Sequence, residues 1–296
     1  MRGWICLCHS LLAMVAALLF AGCAAGSRTT TTVAGPPPPE PTYALHFNVQ
    51  PNSSASFRMN VQSQFIQEVM GTENVLDSEW KSVLTQHVGA ADAEGNVTVD
   101  IRFDSMAVQV SNPMLAAMVK PLQEVAGKSV QAVLSRNGEV LRLQGLETLP
   151  AAANQNNQME NTLRNLFPRF ATNAIKVGES WTRDDTSRTK TEATDMTIVN
   201  HSDYSLASVT RVANRTHLKL HNASTFAIQG TVKNQGADVG LSGTGKAEGD
   251  FTVDYATGWL FSANATSESS GTAEVNMGQP VSIPWRSNNS VAIVRK

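Results

Sequence analysis

Alternation with a period of two constrains this chain more than any other feature. Phe57, Met59, Val61 and Phe65 alternate with Arg58, Asn60, Gln62 and Gln64, and Val97, Val99, Ile101 and Phe103 alternate with Thr98, Asp100 and Arg102. Neighbouring side chains of an extended strand point to opposite faces, so such a text buries one face and wets the other. That favours an antiparallel sheet, because parallel strands are covered on both faces and read as unbroken apolar runs. The texture returns in 196–199, 206–212, 218–228, 251–255 and 259–265. Turn signals punctuate it at Glu94-Gly95-Asn96, Asn137-Gly138 and Thr257-Gly258. Asn-Gly between Val133-Leu134 and Val140-Leu141 is the strongest hairpin signature in the chain.

Two helices interrupt the strands. Asn112 is placed to cap a helix that starts at Pro113, where a missing N–H costs nothing. Met114, Leu115, Met118, Val119 and Leu122 form its apolar stripe, and Pro121 is expected to kink it or end it near Lys120. A second helix is expected from about Asn154 to Leu166, with Met159, Leu163 and Leu166 on one face. Its polar remainder reads as a surface connector, stopped by Pro168. The expected fold is mainly β, with two similar antiparallel curved-sheet, half-barrel-like units and one or two short helices between them. The first β-unit spans 42–148, the connector 149–169 and the second β-unit 170–296. A weak echo between Gly127-Lys-Ser-Val130 and Gly249-Asp-Phe251 leaves open whether the halves are a duplication.

The start of the chain carries an address. From Gly3 to Ser27 there is no Asp, Glu, Lys or Arg, and only Arg2 supplies positive charge. The apolar stretch from Leu11 to Ala21 suits a signal-peptide core and is short for a membrane span. It ends in Leu19-Phe20-Ala21-Gly22-Cys23, which resembles the lipobox of bacterial lipoprotein signal peptides, with Phe20 where leucine is usual. The resemblance implies removal of residues 1–22 and conversion of Cys23 to a diacylglyceryl, palmitate-bearing first residue anchored in a membrane. One acyl chain holds a protein only marginally, whereas two or three hold it stably. Ala24 in place of the retaining Asp favours the outer membrane. Cys6 and Cys8 leave with the signal peptide, so the mature chain forms no disulfide, and loss of Arg2 takes the formal charge from -2 to -3.

Residues 23–41 read as the lipidated cysteine and a tether, with a Thr29–Thr32 run followed by Pro36–Pro39. The proline block favours a stiff polyproline spacer. Beyond it, Ile175-Lys-Val177-Gly178-Glu-Ser-Trp181 and Asp254-Tyr-Ala-Thr257-Gly258 resemble elements of an uncharacterised family of secreted bacterial β-proteins, over roughly 43–273. That resemblance implies a β-fold and no activity.

Chemical motifs mostly fail on inspection. Gly240-Leu-Ser-Gly243-Thr-Gly245-Lys246 has phosphate-loop spacing, but Ala247 replaces the metal-binding hydroxyl, and a flexible glycine-rich hairpin loop is expected instead. Asp100 and Asp104 fall on one strand face about 13 Å apart, too far for a glycosidase pair, with Arg102 between them as in a charge ladder. Asp184-Asp185 reads as loop charge. His217 and His221 are spaced the same way around Lys219, which disfavours a shared metal. No Gly-x-Ser-x-Gly elbow occurs. Trp80, Trp181, Trp259 and Trp285 suit core anchors, and Met114, Met118, Trp181 and Trp259 are the residues that would line an apolar-ligand cavity if one exists.

The apolar fraction of 42 % excludes wholesale disorder. A formal charge of -2 over 296 residues excludes a nucleic-acid partner, which needs a basic stripe. The expected function is a membrane-anchored envelope lipoprotein without catalysis or cofactor. It would bind an envelope protein or polymer, or serve as a scaffold. The alternative is a carrier of a lipid or other apolar ligand between curved sheet and helix. An enzyme would need a cleft that gathers His201, His217 or Asp184 with a hydroxyl.

Overall fold

The computed structural model describes residues 40–112, 116–150, 158–234, 237–276 and 280–296, so Cys23 and the tether lie outside it. The strands are β1 (Ser54–Val69), β2 (Thr72–Ala91), β3 (Val97–Val110), β4 (Ser129–Leu134), β5 (Val140–Gln144) and β6 (Ser180–Lys190). They continue with β7 (Thr194–Val212), β8 (Arg215–Asn234), β9 (Ala237–Asp254), β10 (Leu260–Asn276) and β11 (Pro280–Arg295). The helices are α1 (Ala116–Gln123), between β3 and β4, and α2 (Gln158–Arg164), between β5 and β6. The chain is mainly β, as the alternation requires.

All the described strands join one antiparallel sheet, ordered β5-β4-β3-β2-β1-β11-β10-β9-β8-β7-β6. The first β-unit supplies one wing and the second supplies the other. They meet where β1 pairs with β11, from Phe57 opposite Arg295 to Gln67 opposite Trp285. The sheet does not close, and β5 and β6 are its free edges.

The strands are longer than the alternating runs suggest. β2 and β8 each extend over 20 residues, about 65 Å at the usual rise. Two tight turns make this possible. Met70-Gly71 joins β1 to β2 and Ala213-Asn214 joins β7 to β8, all four residues having positive φ. Two successive left-handed residues form the hairpin turn whose twist matches that of the flanking strands.

One face of the sheet is the inside. Phe57, Phe103, Leu206, Leu220, Phe251 and Ile293 share an apolar cluster with buried residues of β4. A second cluster, built on Phe65, Phe226, Leu241, Ile283 and Trp285, occupies the other end. The edges approach at the first end. Arg183 of β6 lies 3.8 Å from Glu139 in the β4–β5 turn, and Arg169 reaches both Glu139 at 3.8 Å and Asp185 at 3.7 Å.

The connector is more than a surface link. Met159 and Leu163 of α2, followed by Leu166, Phe167 and Phe170, are buried in the first cluster. In α1, Pro121 does not end the helix near Lys120, which instead runs to Gln123. The proline removes a single N–H, and Glu124 still donates to the Lys120 carbonyl at 3.1 Å. Among the described residues no helix is long and apolar enough to cross a membrane.

Candidate functional site

Between the two apolar clusters the inner face turns polar. The register sets Ser63 opposite Ser78 and Asn289, Asn289 opposite Ser267, and Ser267 opposite Ala247. The row continues through Ser224, opposite Ala247, to Ser202. Ser202 and Ser224 share a 3.0 Å hydrogen bond, Asn200 donates to Ser202 at 2.8 Å, and Asn289 donates to Ser267 at 3.1 Å. A depression of about 840 Å³ crosses β3, β2, β1, β11 and β10 at this height. It takes three consecutive residues from each of β1, β2, β10 and β11, and Gln109 and Val110 of β3 with Ser111 just past it. Ser63, Ser78, Ser267 and Asn289 of the polar row line it, with Val110 the one aliphatic residue in the lining. An acyl chain gains nothing by entering such a space.

The phosphate-loop look-alike is not a loop. Gly240, Gly243 and Gly245 lie inside β9, so the expected flexible hairpin loop is corrected to a long strand. The glycines leave room for rings. A Cβ at Gly245 would come 2.2 Å from Phe226 Cζ, and one at Gly243 would come 2.5 Å from Trp285 Cζ2. Both rings pack directly on bare backbone.

A second depression, about 360 Å³, opens at one end of the sheet. Three segments build it: the approach to β1 (Val49, Gln50, Ser53), the β7–β8 turn and the start of β8 (Asn214, Arg215, Thr216), and the end of β9 with the turn after it (Asp254 to Thr257, with Trp259). Arg295, from the end of β11, completes it. Asp254 caps its own turn by accepting from the Thr257 N–H at 3.0 Å and from Thr257 Oγ1 at 2.9 Å. Gly258 then takes φ 71°, and Trp259 is buried with its indole N–H donating to Gln86 Oε1 at 3.1 Å. The Arg295 guanidinium lies 4.9 Å above the Trp259 ring. Burial, then the neighbouring charge of Arg215, holds it below its ordinary pKa, with Asp254 opposing. Among the described residues no carboxylate forms an ion pair with Arg215 or Arg295.

Of the residues marked for an apolar ligand, only Trp259 borders this depression. Trp181 stacks on Tyr204 with ring centres 5.4 Å apart. Met114 and the Met118 side chain lie outside the described residues. Trp285 is a core anchor stacked on Phe65, and Trp80 is half-buried against the first cluster.

The remaining charged residues resolve into ladders. Arg102 pairs with Asp104 at 3.4 Å, and Asp100 accepts from Gln131 at 2.9 Å. Asp250 takes both Lys219 at 2.7 Å and His221 at 2.9 Å, while the His217 ring lies against Phe261. Asp184 and Asp185 lie within β6, not in a loop; Asp184 meets His201 at 2.6 Å, and Asp185 turns the other way toward Arg169. His201 and His217 stand at separate places on β7 and β8, and neither borders a depression described above. Among the described residues no three metal-binding side chains cluster.

Comparison with protein-family models gives one result. Residues 153–260 match a "Family of unknown function (DUF6263)". The match covers about a third of the chain, from the connector through β9 to the first residue of β10, and agrees with the resemblance to an uncharacterised β-protein family. No curated protein matches. Among solved structures, DynF from the dynemicin biosynthesis pathway of Micromonospora chersina aligns at 9 % identity, covering 93 % of this chain and 94 % of its own, with a TM-score of 0.17. An outer membrane channel from Pseudomonas putida F1 aligns at 7 % identity over 84 % of this chain and 98 % of its own, with a TM-score of 0.19. Superpositions this loose carry no argument about fold or function.

Sequence reasoning marked Trp259 and the Asp254 turn but passed over Arg215 and Arg295. Nothing local announces that pair. It forms only because β11 returns to the middle of the sheet beside β1.

Proposed function

We propose that this chain is a lipid-anchored cell-envelope protein, held through Cys23 at the outer membrane, whose sheet serves as a non-catalytic binding or scaffold module. The observation that carries this reading over lipid carriage is the filled interior. Phe57, Val99, Phe103, Phe251 and Trp259 are all buried, and the larger depression is lined by polar residues apart from Val110. A carrier needs a dry cavity lined by apolar side chains. The Thr- and Pro-rich segment of 24–41 supports the anchored reading, since it could hold a folded body clear of lipid headgroups.

Radioactive palmitate tests the anchor. Wild-type protein takes up label and partitions with membranes, and Cys23→Ser does neither. An unlabelled wild type, or a Cys23→Ser variant that stays equally membrane-bound, overturns the reading. Native mass spectrometry tests the module. The purified protein carries no co-purified lipid beyond its own acyl chains, and near-stoichiometric lipid would restore the carrier.

A further inference from the structure

We propose that the depression between the β7–β8 and β9–β10 turns is an oxyanion site in which Arg215 and Arg295 grip a phosphate group. Two cations face one space of about 360 Å³ with no ion-pair partner among the described residues. The one carboxylate that borders it, Asp254, has its Oδ1 occupied by the Thr257 N–H and hydroxyl. It offsets part of the positive charge without neutralising two arginines.

The geometry suits a planar fork. The Arg295 guanidinium carbon sits over the indole without using its N–H groups, which remain available to donate to an anion. Trp259 is itself fixed by Gln86, so Arg295 is pre-positioned rather than waving in solvent. The walls are tied as well, with Tyr255 N–H donating to the Thr216 carbonyl at 2.8 Å and Asn48 N–H to the Thr257 carbonyl at 2.9 Å. Burial and the charge of Arg215 both disfavour the Arg295 cation, Asp254 opposes them in part, and the charge of a bound anion would add to that opposition.

Phosphate chemistry has two sources here, a soluble phosphate ester or a phospholipid headgroup. The volume exceeds that of a bare phosphate ion and leaves room for an ester substituent. The proposal does not rest on the lipid anchor.

Calorimetric titration of the purified full chain tests it, with inorganic phosphate, glycerol 3-phosphate and dihexanoyl phosphatidic acid below its micelle concentration as probes. At least one probe binds, and the affinity falls about tenfold or more in Arg215→Gln and in Arg295→Gln. Arg295→Lys, which keeps the charge but loses the fork, recovers only part. Tighter binding of the phosphatidic acid assigns the site to headgroups, and equal binding of glycerol 3-phosphate assigns it to soluble esters. Arg215 is exposed at the first position of β8, so its variant carries the test even where Arg295→Gln lowers stability. Absence of binding by all three probes at millimolar concentration, or equal binding by the doubly substituted protein, overturns the proposal.

Discussion

At Gly271 an added methyl group would land 2.0 Å from the Ser242 carbonyl oxygen and 2.8 Å from Trp285 Cζ2. Backbone cannot yield at that distance, and overpacking of this kind costs about 1–3 kcal/mol. Gly271→Ala therefore lowers the thermal midpoint by several degrees. Gly240, in β9 one strand away, has no atom closer than 3.8 Å to such a methyl, and Gly240→Ala leaves the midpoint nearly unchanged. Equal midpoints for the two variants would remove the ring-on-backbone account of the second cluster. On β10, two residues beyond Ser267 of the polar row, a buried hydroxyl offers the opposite case. Ser269 Oγ is buried without a protein partner, so Ser269→Ala deletes an unmet desolvation cost and is neutral or stabilising by about 1 kcal/mol in denaturant titration. A clear loss of stability would show that this hydroxyl is satisfied.

Among the elements, β6 shows what alternation can and cannot reveal. Its residues from Ser180 to Lys190 are mostly polar on both faces, which hid a strand and suggested a loop. Charge on both faces is how a free sheet edge resists pairing with another chain. The part of β9 ahead of Phe251 was hidden for a different reason, since its glycines replaced the side chains that make a strand readable. The runs with alternating large side chains and Asn-Gly turns were legible, because their local chemistry and their place in the sheet agree. The β6–β7 ladder also carries a titration. The hydrogen bond that the His201 ring donates to Asp184, aided by the charges of Asp184 and Asp203, holds the His201 pKa above its ordinary value of 6.5 despite some desolvation. A raised folded pKa means that the pairing stabilises fully below pH 6.5 and is lost as pH rises through the folded value. NMR titration of the His201 ring checks this. Asp184→Asn moves the midpoint down toward 6.5, and an unmoved midpoint would assign the shift elsewhere.

At the scale of the molecule, the wings depend on the seam between β1 and β11. Removing 280–296 strips the inner neighbour from both β1 and β10 and takes Trp285 and Ile293 out of the two clusters. The truncated chain is expected to lose its cooperative unfolding transition and to aggregate, as followed by near-ultraviolet circular dichroism and light scattering. A sharp transition in that chain would show that the wings are independent domains. The sequence made the two wings readable but not their union, because antiparallel hairpins announce themselves through turns and a first-to-last pairing has none. The arginine pair and the polar row were illegible for the same reason, each being assembled from strands distant along the chain.

That arrangement has a consequence during synthesis. β1 acquires β2 at once through a two-residue turn, yet its other side stays bare until β11, the last strand of the sheet, has been made. During that interval it is a template for any passing β11, including one from a sister molecule, and strand exchange between copies is the accident this topology most invites.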